Sequence, residues 1–206
     1  INISLVLDRS GSMSGEPIEE AKKAAIMMVE KLRATDKVSV VTFDHSIDVV
    51  VPSTSLRDKR SVINSIQHIH TYGSTNLHGG WLAGAEQVAT GKDEKSLNRV
   101  LLLSDGGAND GLTDIEEIKR QCSKLSETNI TTSTYGLGRN FNEDLMVNMA
   151  NKGLGHSYYG QTSDDLMDPF KEEFETLIAT VATNLQLKFE HPNFVRCCLL
   201  YTSPSP

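Results

Sequence analysis

The stretch INISLVLDRSGSM, Ile1 to Met13, decides the fold. An apolar strand, Ile1 to Leu7, runs straight into a D-x-S-x-S turn, so its carboxyl end presents one carboxylate, Asp8, and two hydroxyls, Ser10 and Ser12, at alternate positions. All three are oxygen donors, and Gly11 lets the backbone curl tightly enough to bring the hydroxyls round one point. The absence of sulfur and imidazole argues against zinc or copper and for a hard cation. Asp, Ser and Gly also make ordinary turns, so this turn alone does not establish a metal site.

Outward from that strand, helical and extended patterns alternate, which predicts an α/β layered fold. Pro17 falls where a first helical turn tolerates it, and Ile18, Ala21, Ala25, Met28, Val29 and Leu32 follow at helical spacing, with an expected end near Thr35. Lys37 to Phe43 reads as a second strand and Ile47 to Val51 as a short third one, paired with it as a hairpin. Val62, Ile66 and Ile69 mark a second helix; Leu82, Ala85 and Val88 mark a third. The continuous apolar run Val100 to Leu103 is expected of a strand buried on both faces, and it ends on Ser104 and Asp105. Then come a helix stripe (Ile115, Ile118, Cys122, Leu125), a Thr-rich strand from Ile130 to Tyr135 closed by Gly136 and Gly138, a helix on Leu145, Met146 and Met149, and a short strand from His156 to Tyr159. Leu166, Phe170, Phe174, Leu177, Ile178 and Val181 predict a closing helix, kinked or restarted at Pro169. The expected architecture is a doubly wound, Rossmann-like, mostly parallel sheet with one antiparallel edge strand and helices on both faces.

With 206 residues, 38% of them apolar, the chain has enough sequence for one sizeable core, expected over residues 1–183. The formal charge of −7 and scattered Lys and Arg lack the basic stripe of a nucleic-acid binder. No apolar run approaches the roughly 20 residues that span a bilayer. The chain opens inside a strand without Met, which leaves room for a lost leader. Three cysteines give no disulfide framework, so the redox compartment stays open. Leu185 to Glu190 alternates apolar and polar residues, and RCCLLYTSPSP closes the chain without room for an element. Residues 184–206 therefore read as the start of a truncated following β segment or as a non-native tail.

In an open α/β sheet, ligands gather outside the carboxyl ends of the strands, where Asp8 and Asp105 stand. The loop Gly73, Ser74, Thr75, Asn76, Leu77 can add the Thr75 hydroxyl. Taken together, the chain resembles a von Willebrand factor type A domain, whose metal-ion-dependent adhesion site has these three pieces in this order. STNLHGGWLAGAEQV, LLLSDGGANDG and TTSTYGLGRNFNEDLMVNMANKGLG are similar to the bacterial branch of that family. Ser104 stands where the family often has threonine.

The resemblance implies Asp8, Ser10, Ser12, Thr75 and Asp105 as the site, the hydroxyls binding Mg2+ directly and the aspartates largely through water, with Mn2+ or Ca2+ as substitutes. Mg2+ prefers about six oxygens and keeps several waters, so one position stays open for an outside anion, most simply a partner's Asp or Glu carboxylate. Arg9, Asp44, His78 and Asn109 are rim candidates. Simpler readings stand beside them: a hairpin turn for Asp44, a helix start for His78 and a connecting turn for Asn109. His68 and His70, two apart on a predicted helix, cannot act as an i, i+4 metal pair.

Enzyme signatures are missing from the decisive places. A haloacid-dehalogenase-type phosphotransferase needs a second acid two residues after Asp8, where Ser10 stands. The turn after Leu7 is neither G-x-G-x-x-G nor a P-loop, and no G-x-S-x-G elbow occurs. The expectation is protein recognition rather than catalysis, in cell-surface adhesion or scaffolding. The alternative is an intracellular subunit docking on a AAA+ ATPase, and a metal-dependent enzyme ranks below both. An extracellular, periplasmic or cell-surface setting is favoured over the cytoplasm.

Overall fold

Strand β1, Asn2–Asp8, is buried at all seven positions, as an apolar run must be at the centre of a sheet covered on both faces. In the computed structural model, which describes residues 1–93, 96–137, 142–162, 165, 168, 169, 171–173, 175 and 176, β1 pairs in parallel with β2 (Lys37–Phe43) and β4 (Asn98–Ser104). The sheet order is β3-β2-β1-β4-β5-β6, with β3 (Ile47–Ser55) antiparallel to β2, and β5 (Ile130–Leu137) and β6 (Ser157–Gly160) parallel beyond β4. This is the expected doubly wound sheet with one antiparallel edge strand. The order reverses between β1 and β4, so the crevice at their carboxyl ends is the topological switch point.

Helices cover both faces. Against one face, the α1 stripe (Glu16–Lys31) joins Val62 and Ile66 of α2 (Lys59–Gln67) and the inward residues Leu5, Leu7, Leu101 and Leu103. Against the other lie α3 (Leu77–Thr90), α4 (Ile115–Glu127) and α5 (Glu143–Lys152), which bring Trp81, Val88, Ile118, Cys122, Met146 and Met149 onto Val6, Val41, Phe43 and Leu102. A Cβ on Gly84 would stand 2.3 Å from Val6 Cγ2, so glycine there lets α3 lie directly on β1. That close approach sets the start of α3, and Thr75 just before it, beside the end of β1.

Several boundaries differ from the sequence pattern. Helix α1 stops at Lys31 instead of near Thr35, and the Asp36 carboxylate accepts the Arg33 N–H at 2.7 Å to turn the chain into β2. Strand β3 continues through Pro52 to Ser55; as the edge strand it tolerates a residue that cannot donate to a ladder. Gly136 does not close β5 but pairs with Ser104 inside it. Helix α2 ends at Gln67, so Ile69, though buried, and both His68 and His70 lie beyond it. A short 3-10 turn, Gly11–Met13, follows β1 and had no periodic signal.

Among the described residues no helix is long and apolar enough to cross a membrane. Leu166, Phe170, Phe174, Leu177, Ile178 and Val181 of the predicted closing helix, the 183/184 boundary, the strand Leu185–Glu190 and Gly138 lie outside the described residues. Glu173, which is described, is buried and accepts hydrogen bonds from Arg99 Nη1, Ser133 Oγ and Tyr135 Oη.

Candidate metal and partner site

Three loops meet at the switch point, and their backbone bonds explain why. The β1 loop is tied to the second loop by the Gly11 N–H, which donates to Gly73 O at 3.0 Å. The second loop is tied to the β4 loop through Thr75: its carbonyl accepts the N–H groups of Asn109 and Asp110 at 3.2 and 3.1 Å, and its own N–H donates to Asn109 Oδ1 at 2.8 Å. Ser74 Oγ adds a bond to Asp110 Oδ2 at 3.1 Å. The β4 loop is anchored in turn where Asn142 N–H donates to Asp105 O at 3.0 Å.

This framework brings Asp8, Ser10, Ser12, Thr75 and Asp105 to one place. Asp8 is fully buried at the end of β1; Oδ1 accepts the Ser10 N–H at 2.8 Å and Oδ2 accepts the Ser104 hydroxyl at 2.5 Å. Ser104 Oγ also accepts the Gly106 N–H at 2.9 Å, so this serine fixes the first aspartate and the start of the β4 loop together. The Oγ atoms of Ser10 and Ser12 are 3.1 Å apart. Asp105 Oδ1 and Thr75 Oγ1 lie 3.1 and 3.9 Å from the point where a Cβ on Gly107 would stand. Ser10, Thr75 and Asp105 are buried, whereas Ser12 is exposed and opens the cluster to solvent.

Two acidic side chains dominate the electrostatics of the cluster. Burial pushes the Asp8 carboxyl from 3.8 up to about 6; hydrogen bonds from Ser10 and Ser104 oppose that rise, and the nearby Asp105 charge adds to it. Neither carboxylate is paired with Lys, Arg or His among the described residues, so two nearby buried acids stand without a protein counter-charge. The donor set fits a small hard ion: adjacent corners of a Mg2+ octahedron are about 3 Å apart for metal–oxygen bonds near 2.1 Å, the separation of the two serine hydroxyls. No three His, Cys, Asp or Glu side chains converge as a metal cage among the described residues; this cluster relies on hydroxyls for most of its donors.

The rim candidates have different fates. Asp44 is 1% exposed and turns inward, its Oδ1 accepting Ser46 N–H at 2.6 Å and Ser46 Oγ at 2.9 Å. Placing it on the partner-facing rim is therefore a correction: it organises the β2–β3 turn. Arg9 is half-buried and spends its guanidinium on Asp44, Ser46 and Asp48. His78 Nε2 lies 2.8 Å from Gln121 Oε1, which ties α3 to α4, and its ring is 5.9 Å from that of Trp81 in its own helix. Asn109 is exposed as a residue, but its side-chain oxygen holds the Thr75 N–H. The sequence reading missed the roles of Ser104, Asn109 and Ser74; polar residues crowding three loop sequences were the available signal.

The von Willebrand factor type A domain family profile matches residues 2–172. An uncharacterized protein of Synechocystis sp. is 29% identical over 194 residues, covering 92% of this chain and 44% of that protein. The chain spans less than half the length of the first curated relatives it matches. In structure it is similar to the conserved hypothetical protein BatB of Bacteroides thetaiotaomicron, with a TM-score of 0.75 at 17% identity over 87% of this chain and 100% of that one. It is also similar to proximal thread matrix protein 1 of the mussel byssus in a form with a zinc-occupied MIDAS motif, with a TM-score of 0.69 at 18% identity over 85% of this chain and 45% of that one. With its profile match, sheet order and strand-end loops, this chain belongs to the von Willebrand factor type A domain family.

Proposed function

We propose that this chain is a divalent-cation-dependent recognition module of the bacterial-type branch, with Asp8, Ser10, Ser12, Thr75 and Asp105 as a metal-ion-dependent adhesion site. The observation that carries this reading is the pair of buried carboxylates, Asp8 and Asp105, set without a protein cation beside three hydroxyls at the switch point. Ser10, Ser12 and Thr75 are neutral donors, so an ion held mainly by them keeps much of its charge. When bound, that ion supplies a positive, partly open coordination sphere to an anion. The natural protein anion is an Asp or Glu side chain of a partner, and the output is binding rather than turnover.

Mg2+ is the proposed ion, with Mn2+ and Ca2+ as substitutes. Zinc belongs in the test because proximal thread matrix protein 1 carries it in its MIDAS motif. The setting proposed is adhesion or scaffolding outside the cytoplasm. The test is affinity capture on the immobilised chain in Mg2+, in Zn2+, in EDTA and with Thr75→Ala. A partner retained only with metal and intact Thr75, and lost when its own acidic residue is changed to Asn or Gln, supports the reading. A partner that survives EDTA and Thr75→Ala unchanged uses another surface.

A further inference from the structure

Arg9 follows Asp8 directly, so the β1 loop fixes its backbone: its N–H donates to Phe43 O at 2.9 Å and its carbonyl accepts the Tyr72 N–H at 2.7 Å. Any residue can make those two bonds. The side chain adds more. Nε donates to Asp44 Oδ2 at 2.8 Å, Nη2 donates to Ser46 Oγ at 3.1 Å and pairs with Asp48, and the guanidinium carbon lies 5.9 Å from the centroid of the Tyr72 ring. One planar group thus meets the β2–β3 turn on one side and the loop leading to Thr75 on the other.

Both contacts end beside Thr75. Asp44 C=O accepts the Asn76 N–H at 2.8 Å, and Asn76 caps α3 through Gly79 N–H at 3.0 Å. Tyr72 stands three residues before Thr75; it is 59% exposed and lines two cavities of about 560 and 570 Å3, the first of which Arg9 also lines. Two routes therefore run from the Arg9 guanidinium to the residues flanking Thr75, one through Asp44 and Asn76, the other through Tyr72. Asp44 is itself buried; burial alone would push its pKa up, but hydrogen bonds from Ser46 and the Arg9 charge outweigh this and hold the carboxyl below its usual range.

We infer that Arg9 is a positioning residue: it locks the β2–β3 turn and the Tyr72–Asn76 loop against the β1 loop, so that the Thr75 hydroxyl is held in place before any ion arrives. The inference rests on the proposed metal site for its meaning but not for its mechanics. Lysine cannot replace it, because an ammonium is a point donor that cannot serve Asp44 and Asp48 while stacking on Tyr72. The guanidinium faces Asp44, Asp48, Ser46 and Tyr72 rather than the cluster, so it acts through the loop and not on the ion.

The experiment compares wild type, Arg9→Gln and Arg9→Lys in two arms. In EDTA, amide hydrogen exchange is followed at Tyr72, Thr75 and Asn76 and, as controls, at Leu101, Leu102 and Thr134 in β4 and β5. Arg9→Gln is expected to speed the loop amides at least tenfold and leave the control amides within twofold, with Arg9→Lys recovering less than half of the protection. In the second arm, Mn2+ alone is titrated, and Arg9→Gln is expected to weaken it three- to tenfold. Uniformly faster exchange, or unchanged loop exchange in Arg9→Gln, overturns the inference; so does full rescue by lysine. A wild type that binds no Mn2+ overturns the metal reading, while the exchange arm still decides the role of Arg9.

Discussion

Replacing Asp8 with Asn should stabilise the metal-free protein. In EDTA at pH 8 the Asp8 carboxylate is buried, ionised and without a protein cation. Its folded value of about 6 against 3.8 for the ordinary group corresponds to about 3 kcal/mol of lost stability, at about 1.4 kcal/mol per unit. The sign follows from linkage: with the folded value raised, the folded state holds its proton more tightly than the unfolded one. Stability is then fully present below pH 3.8, falls as pH rises through about 6, and stays low above it. Asn has the same shape, keeps an acceptor for the Ser10 N–H, and turns its NH2 toward Ser104, whose hydroxyl can reorient to accept. Part of the gain is lost to that exchange, which leaves a net stabilisation of about 1–2 kcal/mol at pH 8, or roughly 2–8 °C in Tm for a domain of this size. Urea and thermal unfolding of both proteins from pH 5 to 8, with EDTA and with Mg2+, make the assay. Wild type in EDTA should lose stability across that range, Asp8→Asn should stay nearly flat, and Mg2+ should raise the wild type only. A destabilised Asp8→Asn in EDTA at pH 8, or a metal-free wild type that gains stability between pH 5 and 7, would refute the reasoning.

Other perturbations probe the frame around the site. Glu173→Ala leaves the Arg99 guanidinium and the Tyr135 and Ser133 hydroxyls without their shared acceptor, and breaking such a buried pair costs about 3–5 kcal/mol; a loss under 1 kcal/mol in urea unfolding would argue against that network. Gly84→Ala forces a methyl to within 2.3 Å of Val6 Cγ2, an overpacking expected to cost about 1–3 kcal/mol and to push α3 off β1; since α3 carries the Thr75 loop, Mn2+ affinity should fall with it. A chain ending at Asn184 is expected to melt within a few degrees of the full chain and keep its Mg2+ response, and failure to fold would show that the tail belongs to the domain.

Periodicity and the strand-end carboxylates made much of this architecture legible in the sequence. The apolar run of β4 and the helical stripe of α1 each depend on burial on a whole face, which sequence spacing reports directly. What stayed hidden depends on single hydrogen bonds or on position in the sheet. Pro52 looks like a strand breaker until β3 is known to be the edge. Gly136 looks like a terminator until its pairing with Ser104 is seen. At the site, the D-x-S-x-S turn, Thr75 and Asp105 were readable because oxygen donors stand at strand ends and in one polar loop. Asp44 and Asn109 were readable as polar turn residues or as rim candidates; that the first is buried under Arg9 and the second grips the Thr75 amide follows from the fold alone.

Mn2+ titration of the metal-free chain, followed by electron paramagnetic resonance or calorimetry, tests the central claim most directly. One ion per chain is predicted for wild type, displaced by Mg2+ and absent from Asp8→Ala and Asp105→Ala when both variants keep the wild-type fold by circular dichroism. No saturable Mn2+ binding to wild type, or unchanged affinity in both folded variants, would contradict it.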